Sequence, residues 1–123
     1  MIAYTEFDPQ TGKITSFGLM QKAIFTEKTN IIEGAYDDTL FYIKDMKPVA
    51  RPELLPSTLE ILADGIEEVT LSGLPDIFLI TIDEEPYTIV GGSFTFSTIL
   101  PGVYTLEAKT FPYKEKPIKI VAL

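Results

Sequence analysis

Polar and apolar residues alternate along most of this chain, and turn signals interrupt the alternation at short intervals. In "IAYTEFDPQTGKITSFG" (2–18), Ile2, Tyr4 and Glu6 alternate with Ala3, Thr5 and Phe7. A period of two is the mark of a β-strand. Asp8-Pro9-Gln10-Thr11-Gly12 then reads as a turn: Asp suits its first position, Pro presets φ, and Gly accepts φ > 0 at its close. Lys13 to Phe17, ending at Gly18, is the expected return strand. "LMQKAIFTEKT" (19–29) places Leu19 with Ala23 and Met20 with Ile24, a weak i, i+4 pattern that admits one or two helical turns. "NIIEGAYDD" gives a short apolar run and a turn, and "TLFYIKDMKPVAR" (39–51) reads as one further strand.

Three prolines then fall close together in "KPVARPELLPST": Pro48, Pro52 and Pro56. Proline has no N–H to give a ladder and is excluded from helix interiors, so the segment predicts an extended connector. The expected layout is an N-terminal hairpin or meander over 1–47, a connector over 48–57 and a second region over 58–123.

That second region is punctuated every 8 to 12 residues. "TLEILA" runs into Asp64-Gly65, and "EEVTLSGL" sets Val69 and Leu71 on one face. "DIFLITI" is continuously apolar from Ile77 to Leu79, which predicts a strand buried on both faces. "DEEP" is an acidic turn, Gly91-Gly92 reads as a hairpin turn, and Phe94 and Phe96 alternate with Thr95 and Ser97. "PIKIVAL" closes the series. About seven short strands are predicted, the pattern of an antiparallel, immunoglobulin-like β-sandwich. The fold class expected for the whole chain is all-β.

Composition narrows the chemistry. The 123 residues contain no Cys, His or Trp. Without His or Cys, serine-triad, cysteine-protease and zinc-hydrolase mechanisms are excluded in their usual forms. No P-loop, G-x-S-x-G, S-x-x-K or G-x-G-x-x-G is present. No catalytic residue, cofactor site or metal site is assigned. Asp83-Glu84-Glu85 clusters carboxylates that a Ca²⁺ ion favours, but consecutive carboxylates lack the alternating ligand spacing of an EF-hand loop. Among enzymes, only a carboxylate-pair hydrolase is left open by the residue inventory.

The net charge of −8 disfavours nucleic acid and acidic membranes as partners. The charge is also uneven. Ten acidic residues and no Lys or Arg lie between Glu53 and Ala108, whereas Lys109 to Lys119 holds four lysines and one Glu. The N-terminus has no basic, apolar signal-peptide pattern, and no apolar run reaches the length of a membrane span. A soluble protein made in the cytoplasm is expected.

Two readings concentrate on "LPGVYTLEAKTFPY" (100–113). Pro101 and Gly102 form a turn, and Tyr104 follows two residues before the core aliphatic Leu106. This is the arrangement of a tyrosine corner, in which the ring packs inside and the hydroxyl bonds to the preceding loop. Pro101, Gly102 and Tyr104 are therefore read as structural. Lys109, Phe111, Tyr113, Lys114 and Lys116 form the one basic, aromatic segment, read either as a proline-braced loop or as a partner contact. Tyr36, Tyr42 and Tyr87 carry the same ambiguity.

The terminal strand resembles the "PG-x-Y-x-L-x-A" strand of transthyretin-like and carboxypeptidase-regulatory-like β-sandwiches, over residues 58–123 at most. Over most of its length the chain resembles small accessory proteins encoded among the tail genes of tailed bacteriophages, often beside the tail-fibre gene. The shared features are the "YTEFDPQTGKITSFG" hairpin, the "KPVARPELLPSTL" connector and the final Pro-Gly-x-Tyr strand. That resemblance implies a non-enzymatic virion component docked on fibre, baseplate or tail proteins, or alternatively a tail-fibre assembly chaperone. A carbohydrate- or cell-surface-binding module, using Tyr113, Tyr87 and Asp83, is the reading from a different class. Some 50 N-terminal residues bury little core alone, so they are expected to pack on the sandwich, on another copy of the chain as a homo-oligomer, or on a partner.

Overall fold

The computed structural model describes all residues, Met1–Leu123. It is nearly all β and its sheets are mainly antiparallel, with no long helix. The chain divides into two compact units, Met1–Pro52 and Glu53–Leu123.

In the first unit, β1 (Ile2–Phe7) lies between β2 (Ile14–Met20) and β3 (Ile31–Glu33). The only helix, α1 (Lys22–Phe25), is a single turn whose cap residue Gln21 makes no side-chain capping bond. A second sheet is the hairpin of β4 (Phe41–Lys44) and β5 (Lys47–Ala50). Phe7, Ile14 and Ile43 form a small core, flanked by Ile32, Tyr36 and Phe41. Thr5 is fully buried and satisfied on both sides: its hydroxyl donates to the Gly34 carbonyl at 2.7 Å and accepts the Tyr36 N–H at 2.9 Å. An unpaired buried hydroxyl would cost roughly 1–3 kcal/mol, so this bonding lets a polar residue occupy a core position.

Two expectations change here. The stretch 39–51 is not one strand. Asp45 and Met46 adopt φ of 53° and 58° and turn the chain back on itself. Two successive left-handed residues are the geometry of a two-residue hairpin turn. Pro48 is also not connector but strand, directly opposite Ile43. The lost N–H matters little at that position, because the Ile43 N–H points the other way, to the Gly12 carbonyl at 2.8 Å.

In the second unit, β6 (Glu60–Ile61), β12 (Ile118–Ala122), β11 (Gly102–Ala108), β8 (Ile77–Ile82) and β9 (Glu85–Val90) form a five-stranded sheet in that order. Only the β6–β12 pair is parallel. The remaining strands, β7 (Val69–Leu71) and β10 (Phe94–Phe96), pair with each other as a second sheet. Phe78, Ile80, Leu106, Ala108 and Ile120 from the large sheet meet Val69 and Leu71 from the small one in a single core, which Phe94 and Phe96 flank. The second unit is thus a seven-stranded sandwich of five strands against two.

The sheet division corrects two further expectations. Gly91-Gly92 does not close a hairpin, since β9 and β10 belong to different sheets. With φ of 96° and 82° the pair redirects the chain from one sheet to the other. β8 is buried on one face only: Phe78 and Ile80 are inaccessible, while Ile77 and Leu79 are 67% and 46% exposed. Its unbroken apolar run reflects an apolar outer face rather than a covering layer.

Gly12 ties the first hairpin to β4. Its φ is +80°, and a Cβ placed there would collide with the Ile43 carbonyl oxygen. Gly12→Ala is expected to destabilise the first unit by about 1–3 kcal/mol through backbone strain, which chemical denaturation would measure.

Candidate functional site

Apart from Tyr36 and Tyr42, the residues singled out from sequence lie in the second unit, and most have internal partners. β11 begins at Gly102, and Tyr104, Leu106 and Ala108 point inward along it. The Tyr104 hydroxyl donates to the Leu100 carbonyl at 2.7 Å, with Thr98 Oγ1 at 2.9 Å. Its ring meets Phe96 edge-on, 5.0 Å between centroids.

The basic segment is largely paired. Lys109 Nζ lies 3.2 Å from Glu107 and 3.6 Å from Glu115. Lys114 and Lys116 converge on Glu53 at 3.3 and 3.8 Å. Tyr113 is half-buried, with its ring edge-on to Phe78 at 4.9 Å, and the Phe111–Pro112 peptide is cis. The arrangement brings this segment against the unit's own core and acids rather than presenting it as a free cationic surface.

An open cleft lies at the other flank, and strand geometry explains it. Strands lie about 4.8 Å apart, so a five-stranded sheet is some 19 Å wide between its outer strands and a two-stranded one about 5 Å. β7 and β10 therefore leave much of the large sheet's inner face uncovered. Leu54 and Tyr113 fill part of the remainder. At β9 it stays open, and the result is a cleft of about 590 Å³.

The register places the cleft's residues. Ile80 stands opposite Tyr87, and Ile82 opposite Glu85, so Tyr87 and Glu85 share the inner face with the core. Tyr87 nevertheless remains 45% exposed. Phe94 and Phe96 approach from β10, and Tyr104 from β11. Asp83 and Glu85 form the acidic rim. Asp83 sits in the β8–β9 turn, where Asp83 and Glu84 have φ of 49° and 70°. Its carboxylate is held by the Thr105 N–H at 2.9 Å.

Of the three residues that the sequence offers for sugar binding, Asp83 and Tyr87 line the cleft, whereas Tyr113 lies elsewhere, against Phe78. The contribution of Phe94, Phe96 and Glu85 was missed. Its only signal was the alternation that set Phe94, Phe96, Glu85 and Tyr87 on inward faces, without indicating that the opposite sheet stops short. No cluster of three acidic side chains is spaced to hold a metal ion, and no helix is long and apolar enough to cross a membrane. The chain matches no family model, no curated protein and no solved structure.

Charge is locally tuned within each unit. The Lys114 hydrogen bond, followed by the charge of Lys116, holds Glu53 below its ordinary value of 4.5. The side-chain and backbone bonds of Thr39 lower Asp37, and the N–H groups of Glu67 and Ile66 lower Asp64, both from 3.8. The Glu6 bond raises Lys28, and the Glu107 bond raises Lys109, above 10.5.

Two outcomes follow. Groups with depressed folded values stabilise the fold above their ordinary values, and this is lost as pH falls through the lowered ones. The two lysines stabilise below 10.5, and this is lost as pH rises past their raised values. A melting temperature followed against pH should therefore fall at both extremes, and Glu53→Gln should shallow the acid limb. Separately, Tyr104→Phe removes the hydroxyl that bonds the loop and should cost about 1 kcal/mol; an unchanged denaturation midpoint would contradict a stabilising role for that bond.

Proposed function

We propose that this chain is a non-enzymatic docking protein of a bacteriophage tail, seated on a fibre, baseplate or tail protein. The observation that carries the reading is the free, apolar edge of the large sheet. β9 is the last strand in its order, with no strand beyond it. On its outer face Val90, 74% exposed, stands directly opposite Ile77, 67% exposed, beside Leu79.

The edge is chemically graded. Pro86 has no N–H to offer, whereas the pairing leaves the N–H and C=O of Thr88 and Val90 directed away from β8. An incoming strand would find donors and acceptors at that end, next to an apolar strip it could cover. Strand addition of this kind draws affinity from main-chain bonds and specificity from alternate side chains. The resemblance to tail-gene accessory proteins and the absence of His and Cys agree with a binding role. A transient assembly factor for the fibre could use the same edge.

Virion composition separates the versions. Mass spectrometry of purified particles should find the wild-type chain and not Val90→Asp, which places a charge on the exposed strip without touching the core. The variant's melting temperature should stay near that of the wild type, since exposed positions change stability little. Absence of the wild-type chain from particles would reject the virion-component reading. Normal incorporation of Val90→Asp would reject this edge as the docking surface.

A further inference from the structure

We infer that the cleft between the sheets receives a lysine or arginine side chain from a partner polypeptide. The inference rests on the reading of the chain as an interaction protein and supplies a chemical class for its partner. The cleft opens on the face of β9 opposite Ile77 and Val90, so the edge and the cleft can fail independently.

The wall is aromatic and the rim is anionic. Tyr87 and Phe94 have no ring partner of their own, whereas Phe96 and Tyr104 support each other edge-on. Asp83 and Glu85 lie at the mouth, and neither forms an ion pair. The Thr105 N–H fixes Asp83 through one oxygen only, leaving the second for a ligand. No Lys or Arg lines the cleft, and none occurs anywhere from Glu53 to Ala108. The negative potential there is therefore not offset from within the segment.

A cation over an aromatic face is attracted by the ring's electron density, more strongly where water is excluded. Carboxylates at the mouth add Coulombic attraction and hydrogen-bond acceptors. A long aliphatic stem suits the apolar wall while its charged head meets the rim, as lysine and arginine do at protein surfaces. The volume falls within the range of ligand clefts, about 300–1,000 Å³. A neutral glycan would also stack on Tyr87, but two unpaired carboxylates favour a cation over an uncharged ring.

Amide shifts of the ¹⁵N-labelled full chain would test this, with tri-lysine, its Nε-acetylated counterpart and maltohexaose as probes. Tri-lysine should produce saturable shifts centred on residues 82–87 and 94–97, weakened by added salt. The acetylated peptide and the glycan should produce none there. Tyr87→Ala and Glu85→Gln should each weaken tri-lysine binding by about fivefold or more. Both side chains are exposed, so their amide spectra should otherwise resemble the wild type. Equal response to the acetylated peptide, a response to maltohexaose alone, no saturable shift, or undiminished binding by both variants would overturn the assignment.

Discussion

A two-stranded sheet cannot cover a five-stranded one, and much of the second unit follows from that mismatch. Where the layers overlap, Phe78, Ile80, Leu106 and Ile120 are inaccessible to solvent. Burying one such side chain is worth roughly 1.5–3 kcal/mol. Where they do not overlap, inward-facing residues meet other fillers or none. Leu54 and Tyr113 reach the core on the covered side. Tyr87 faces inward with nothing large enough above it. The cleft is thus the unfilled part of a hydrophobic core, which is why its walls are aromatic.

The charge distribution has a related logic. The lysines that follow Ala108 are not a free basic patch, because Glu53, Glu107 and Glu115 lie within ion-pair distance of three of them. Exposed pairs of this kind contribute little stability. Their main effect is on the field. Positive charge is cancelled close to where it arises, while Asp83 and Glu85 at the cleft keep theirs. The proposed sites accordingly sit on β9 and around it, not on the segment richest in lysine.

Much of the fold was legible because strand alternation is a local property. Val69, Leu71, Leu106 and Ala108 are inward as their periodicity requires. What could not be read were facts about partners. Whether the apolar run Ile77–Leu79 is covered on one face or two depends on a layer elsewhere in the chain. Gly91-Gly92 has the same local chemistry whether it closes a hairpin or crosses between sheets. The Asp45-Met46 turn lacked the usual Asn-Gly or Asp-Gly signal, and Met is an unusual residue for a positive φ. The cleft was illegible for the same reason: its residues come from four strands, and its existence depends on how far a different sheet extends.

The position of β12 has a kinetic meaning. It lies between β6 and β11, and its parallel partner β6 is roughly sixty residues away along the chain. Closing so long a loop carries an entropic cost before any pairing energy is recovered, and such non-local topology slows folding. Until β12 docks, β11 has an unpaired edge and the inner faces of Leu106 and Phe78 lack part of their cover. A chain caught at that stage would present two open sheet edges, β9 and β11, where the folded unit exposes only one of them. For a protein proposed to work by adding strands to its sheet, the order in which its own edges close becomes a condition for pairing with the right partner.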